Sequence, residues 1–128
     1  MIRLGDVFWR QGHGEPVPHR YIVASDPKVD SRSLVLLPIV SWEDWKKDDS
    51  CIIKPNEYEP LKHLSCIEYR HAIVIPASVL LEGLNADRIA RCPRASDDLI
   101  RRMHEGAKDT RFLSNQCLYI LSSQEFIP

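Results

Sequence analysis

Proline recurs nine times among 128 residues. Each occurrence fixes φ and removes a backbone donor, so helix interiors and central strands are hard to continue through it. The chain is thereby cut into short segments, which favours a sheet-rich fold with few helices. At 14.8 kDa and 44% hydrophobic residues it is large enough to bury one core. A single domain over residues 1–128, of β-rich α+β class, is the expectation.

The segments between punctuation marks read as follows. Residues 6–10 alternate weakly after a turn-competent Gly5-Asp6 and are read as a strand. Residues 11–19, QGHGEPVPH, have little to bury and form an exposed connection of the kind that often carries function. Strands at 21–25 and 33–40 form the sheet centre, and the unbroken apolar run 34–40 calls for a strand covered on both faces. Trp42 and Trp45 are spaced for one amphipathic helical turn. Residues 51–54 and 66–75 resume strand character, the latter with Glu68 and Arg70 on one face and Tyr69 and His71 on the other. A helical turn over 77–84 closes at Gly83. The surest helix spans 97–108: Ser96 caps it, Asp97 and Asp98 suit its positive end, and Leu99, Ile100, Met103 and Ala107 share a face. Residues 117–121, CLYIL, are read as a last strand.

Lys and Arg number 17 against 18 Asp and Glu, which argues against a polycation or an acidic disordered tail. Within that balance residues 88–111 are locally basic, with seven Lys and Arg against four acids, and the remainder is acidic, with ten against fourteen. No apolar run is long enough to span a bilayer, and the start MIRLGDVFWRQ lacks a secretory h-region, so a cytoplasmic protein with no membrane partner is expected. Cysteines 51, 66, 92 and 117 include no CxxC pair and read as reduced thiols. Cys51, His63, Cys66 and His71 could supply zinc-type ligands, but their spacing fits no standard site, and no metal is assigned.

Three segments in order, Gly5-Asp6-Val7-Phe8-Trp9, His19-Arg20-Tyr21-Ile22-Val23-Ala24-Ser25 and Leu34-Val35-Leu36-Leu37-Pro38-Ile39-Val40-Ser41, resemble the MazF/PemK (Kid) toxin family. The match covers about the first third of the chain. The resemblance implies a small SH3-like, curved, mostly antiparallel barrel with one main helix and short additional ones. It also implies a homodimer that cuts single-stranded RNA without metal or other cofactor and is neutralised by a small antitoxin protein.

On that resemblance the family's strand-initial arginine corresponds to Arg20 beside His19, and its Pro-x-Thr to Pro38-Ile39-Val40, where the threonine is missing. A metal-free ribonuclease needs a base for the 2′-hydroxyl, an acid for the leaving 5′-oxygen and a cation for the crowded phosphorus centre. Arg20 suits the cation. His19 or another histidine (His13, His63, His71) suits proton transfer, since imidazole titrates near neutrality. Ser41 substitutes for the missing hydroxyl if the strand has turned there. Glu68, Arg70, His13 and Trp42 are the candidate RNA contacts, although packing is favoured over base stacking for the tryptophans. The alternative is a non-catalytic module on the same barrel, binding nucleic acid or protein through the 88–111 face.

Overall fold

The long apolar run becomes the spine of the structure. A computed structural model describes residues 1–11 and 14–128. In it β3 (Leu34–Ser41) has Val35, Leu37 and Ile39 in one core and Leu34 and Leu36 in another. That alternation explains why the run is apolar throughout: both faces of the strand are covered. β2 (His19–Val23) and β1 (Val7–Arg10) follow antiparallel on one side, with Arg20 opposite Ile39 and Trp9 opposite Arg20.

The remaining strands are short: β4 (Ile52–Ile53), β5 (Ser65–Ile67), β6 (Ile73–Ile75) and β7 (Ala90–Cys92). The sheet runs β4-β5-β3-β2-β1-β7, with β6 also on β3, and every pairing is antiparallel. Helix α1 (Ala77–Asn85) packs Leu80 against Phe8, Tyr21 and Val23 on one face. Helices α2 (Asp97–Asp109) and α3 (Asn115–Ser123) cover the other, where Leu99, Met103, Ile120 and Leu121 meet Val7, Ile22 and Leu37. The fold is α+β.

The sheet is not closed into a barrel: among the described residues its end strands β4 and β7 do not pair. A closed barrel fills its interior with its own side chains. Here helices cover both faces of the sheet, α1 on one and α2 and α3 on the other. No helix among the described residues is long and apolar enough to cross a membrane.

The helix expected at 97–108 is α2, and Ser96 caps it by accepting a hydrogen bond from the Leu99 amide at 3.1 Å. Four other readings need correction. The strand expected at 117–121 is helix α3: Ser114 caps it, accepting from the Cys117 amide at 3.3 Å, and Cys117, Ile120 and Leu121 recur at helical spacing on its buried face. The expected strand 66–75 is interrupted by a 3₁₀ turn over Tyr69–His71. No helix forms at Trp42 and Trp45, only a turn in which the Lys46 amide bonds the Glu43 carbonyl at 3.0 Å. Gly83 does not close α1 but lies within it, buried where a Cβ would fall 2.4 Å from Ile89 Cδ1.

The interruption of 66–75 traces to Pro38. In a strand the N–H and C=O of one residue point to the same side, and the Pro38 carbonyl accepts from the Glu68 amide at 3.0 Å. The donor that Pro38 lacks therefore falls on the β5–β6 side, leaving its β2 ladder unaffected. β5 pairs with Ile39–Ser41 and β6 with Leu34–Leu36, and the chain leaves the ladder between them.

Candidate functional site

Directly opposed residues in a sheet share a face. Trp9, Arg20 and Ile39 are therefore aligned on the α2–α3 face at one end of β1, β2 and β3, and Ser41 follows two residues on, still within the strand. A cleft of ≈ 460 Å³ opens there, lined among others by Trp9, His19, Arg20, Ser41 and His63. β2 supplies His19 and Arg20, β3 supplies Ser41, and the 60–64 segment before β5 brings His63 and Lys62 to the opposite wall.

Arg20 is the electrostatic centre of this cleft. Its Cζ lies 5.0 Å from the Trp9 ring centroid, a cation–π stack. Among the described residues no carboxylate lies within ion-pair distance of it, and its Nε is buried without a hydrogen-bond partner. A buried N–H left in this condition is costly, and Arg20, which lines the cleft, carries a charge that no carboxylate among the described residues answers. Behind it, burial raises the Cys92 thiol pKa, with the Arg20 charge and a side-chain hydrogen bond to Arg20 opposing, so it is the Nε and not the whole guanidinium that lacks a partner. Burial likewise raises that of the Tyr58 hydroxyl, which donates to the Pro93 carbonyl at 2.6 Å. Neither neighbour offers a negative charge near neutral pH.

His19 is half-buried and His63 exposed, and neither imidazole is hydrogen-bonded to another described residue. Both ring edges are thus available to a ligand in the cleft. Ser41 is exposed. The strand has not turned at Ser41, yet the register still places it on the Arg20 face, whereas Val40 pairs with Cys66 and belongs to the other. The residue aligned with the family threonine is therefore on the wrong side of the sheet for Arg20.

The other expected contacts lie elsewhere. Glu68 and Arg70 are on the turn that interrupts 66–75, and they border a separate cavity sharing no lining residue with the Arg20 cleft. Glu68 binds Lys46 Nζ at 2.8 Å and His71 Nδ1, while Arg70 lies over the Phe112 ring at 4.5 Å. Trp42 is half-buried and borders neither cavity, its amide donating to the Leu64 carbonyl at 2.9 Å. His13 lies outside the described residues.

The zinc arrangement is not assembled either. Cys51 and Cys66 are buried thiols pushed up to about 11 by burial, His71 is engaged by Glu68, and His63 faces the cleft. Among the described residues no three His, Cys, Asp or Glu side chains are grouped to hold a metal. The basic stretch 88–111 is largely neutralised from within. Buried Asp6 draws in Arg91 at 3.3 Å and Arg94 at 4.0 Å, Arg101 bridges Asp98 and Glu105, and Arg102 pairs with Glu57.

Trp9, a strand residue with no site role in the sequence reading, joins Arg20 through cross-strand register. The usable signal was an aromatic at a strand end, one ladder step from a cation. Compared with protein-family models and with the curated proteins, the chain matches none.

Proposed function

We propose that this chain is a metal-independent endoribonuclease of single-stranded RNA, the MazF/PemK-like toxin of a toxin–antitoxin pair, acting through the Arg20 cleft. The observation that carries the reading is Arg20 itself: stacked on Trp9, without an internal carboxylate, its Nε unpartnered, and flanked by two unengaged imidazoles and a hydroxyl. Phosphate recognition explains why such a guanidinium is kept, and most arginines of the 88–111 face, unlike Arg20, already have a carboxylate partner. Kinship with the family's SH3-like barrel, the homodimer, the antitoxin and the cytoplasmic location belong to the same proposal.

The chemistry needs only groups already on the cleft. One imidazole of His19 and His63 accepts the 2′-hydroxyl proton as that oxygen bonds to phosphorus. The other donates a proton to the 5′-oxygen as the P–O5′ bond breaks, leaving a 2′,3′-cyclic phosphate and a 5′-hydroxyl. Arg20 stabilises the charge that accumulates on the phosphoryl oxygens, and Ser41 hydrogen-bonds the same group.

The test is incubation of purified protein with single-stranded RNA in a chelator. Cyclic-phosphate ends that disappear with Arg20→Ala support the reading. Intact RNA overturns it, and binding without cleavage that depends on Arg20 transfers the cleft to a non-catalytic binding module.

A further inference from the structure

The cavity beside β5 that holds Glu68 and Arg70 has a composition of its own. It encloses ≈ 190 Å³ and is lined by two aromatic rings, Trp45 and Phe112, with Lys46, Lys47, Asp48, Glu68, Arg70 and Cys66. Trp45 is 75% exposed although it is the largest type of side chain. Each ring carries a cation on one face: Lys46 Nζ lies 4.6 Å from the Trp45 centroid and Arg70 Cζ 4.5 Å from that of Phe112.

The two acids in this cavity are already engaged. Glu68 is held by Lys46 and His71. Asp48 accepts from the Ser50 hydroxyl at 2.6 Å and from the Thr110 hydroxyl at 2.8 Å. Arg70 and Lys47, by contrast, have no carboxylate partner among the described residues. The valence left open is cationic, and it stands beside exposed aromatic surface. A ring stacks on such surface and an anion completes the guanidinium.

We propose that this cavity is a second ligand site, taking a flat aromatic ring that bears a phosphate, the chemistry of a nucleotide, with the ring against Trp45 and Phe112 and the phosphate on Arg70 and Lys47. The site is independent of the Arg20 cleft, with which it shares no residue. The nucleotide is either free or part of an RNA strand.

The experiment follows the three tryptophan indole N–H signals by two-dimensional NMR, assigned with Trp→Phe variants, while adenosine 5′-monophosphate is added to the intact chain. The Trp45 signal is expected to shift saturably. Adenosine and inorganic phosphate each act more weakly, and Arg70→Gln weakens binding about tenfold or more. Lys47→Gln, also at an exposed position, gives a smaller loss in the same direction. Arg20→Ala leaves the Trp45 response in place, so loss of cleavage and loss of this site are read separately. A short oligoribonucleotide that shifts Trp45 at much lower concentration than the mononucleotide assigns the site to an RNA strand, and the reverse ranking assigns it to a free nucleotide. No Trp45 shift with either probe, or one unchanged by both Arg70→Gln and Lys47→Gln, overturns the proposal.

Discussion

Replacing Arg20 with Met separates a residue kept for stability from one kept for a ligand. Methionine keeps an unbranched, flexible stem but has neither the charge nor the guanidinium that stacks on Trp9. Two terms decide the change in folding free energy. Loss of the Arg20–Trp9 stack, at a site where Trp9 is 39% exposed, costs about 0.5–1 kcal/mol. Removal of a buried Nε–H that has no partner returns roughly 1–3 kcal/mol. The variant is expected to fall between neutral and about 2.5 kcal/mol more stable, read from the urea midpoint at unchanged m-value. On the proposed function, RNA cleavage is expected to drop about 10²–10³-fold, as on removing one donor from a charge-stabilising site. Opposite signs for stability and activity are the mark of a group held in strain for its ligand. Destabilisation beyond about 1 kcal/mol, the lower bound of the unpartnered-donor term, would refute the reasoning by making Arg20 a structural residue.

Three further outcomes follow from the geometry. Ser41→Ala is expected, on the proposed function, to slow cleavage about fivefold, the worth of one hydrogen bond near 1 kcal/mol, whereas Val40→Thr changes little because Val40, although it borders the cleft, alternates to the face opposite Arg20; initial rates check both, and a gain with Val40→Thr contradicts the register argument. Gly106→Ala places a Cβ 2.3 Å from the Tyr69 hydroxyl and 2.9 Å from the Ser50 carbonyl, so overpacking of about 1–3 kcal/mol and disturbance of the Tyr69–Met103 bond exceed the ~1 kcal/mol helix gain from alanine; urea unfolding should show a net loss, with exposed Lys108→Ala as a near-neutral control. Burial lowers the His104 pKa, with its hydrogen bond to the Ala24 carbonyl opposing. The unfolded chain therefore binds more protons, and the contribution of His104, complete above its ordinary value of 6.5, declines as pH falls from there toward the lowered folded value. His104→Gln should flatten this dependence in urea midpoints taken across that window.

What the sequence revealed depended on whether the deciding partner was local. β2, β3 and α2 were legible because alternation, an unbroken apolar run and a serine cap sit within their own segments. Helix α3 was equally legible in principle: Ser114 and the Cys117, Ile120, Leu121 spacing were present, but the aliphatic and aromatic look of CLYIL suggested a strand. The break in 66–75 could not be seen locally, since its cause, Pro38, lies on a different strand. β7 is three residues long, unburied in sequence pattern and defined only by pairing with β1. Arg20, His19 and Ser41 line one cleft, although Ser41 reaches it within the strand and not after a turn, because residue 41 and Arg20 share a face. Glu68 and Arg70 do not join them, because a continuous strand had been assumed to carry them. Trp9 was missed because its role depends on cross-strand register.

Pro38 makes the architecture sensitive to a single imino acid. Restoring an amide at that position, as Pro38→Val would, offers the neighbouring backbone a fresh bonding opportunity and an incentive to straighten. The loop bearing Glu68, Arg70 and His71 would be drawn flush with the sheet, flattening the hollow around Trp45 while sparing the ladder under Arg20. The shape of the hollow beside Trp45 is thus tied to a residue that does not line it, while the ladder under Arg20 is not.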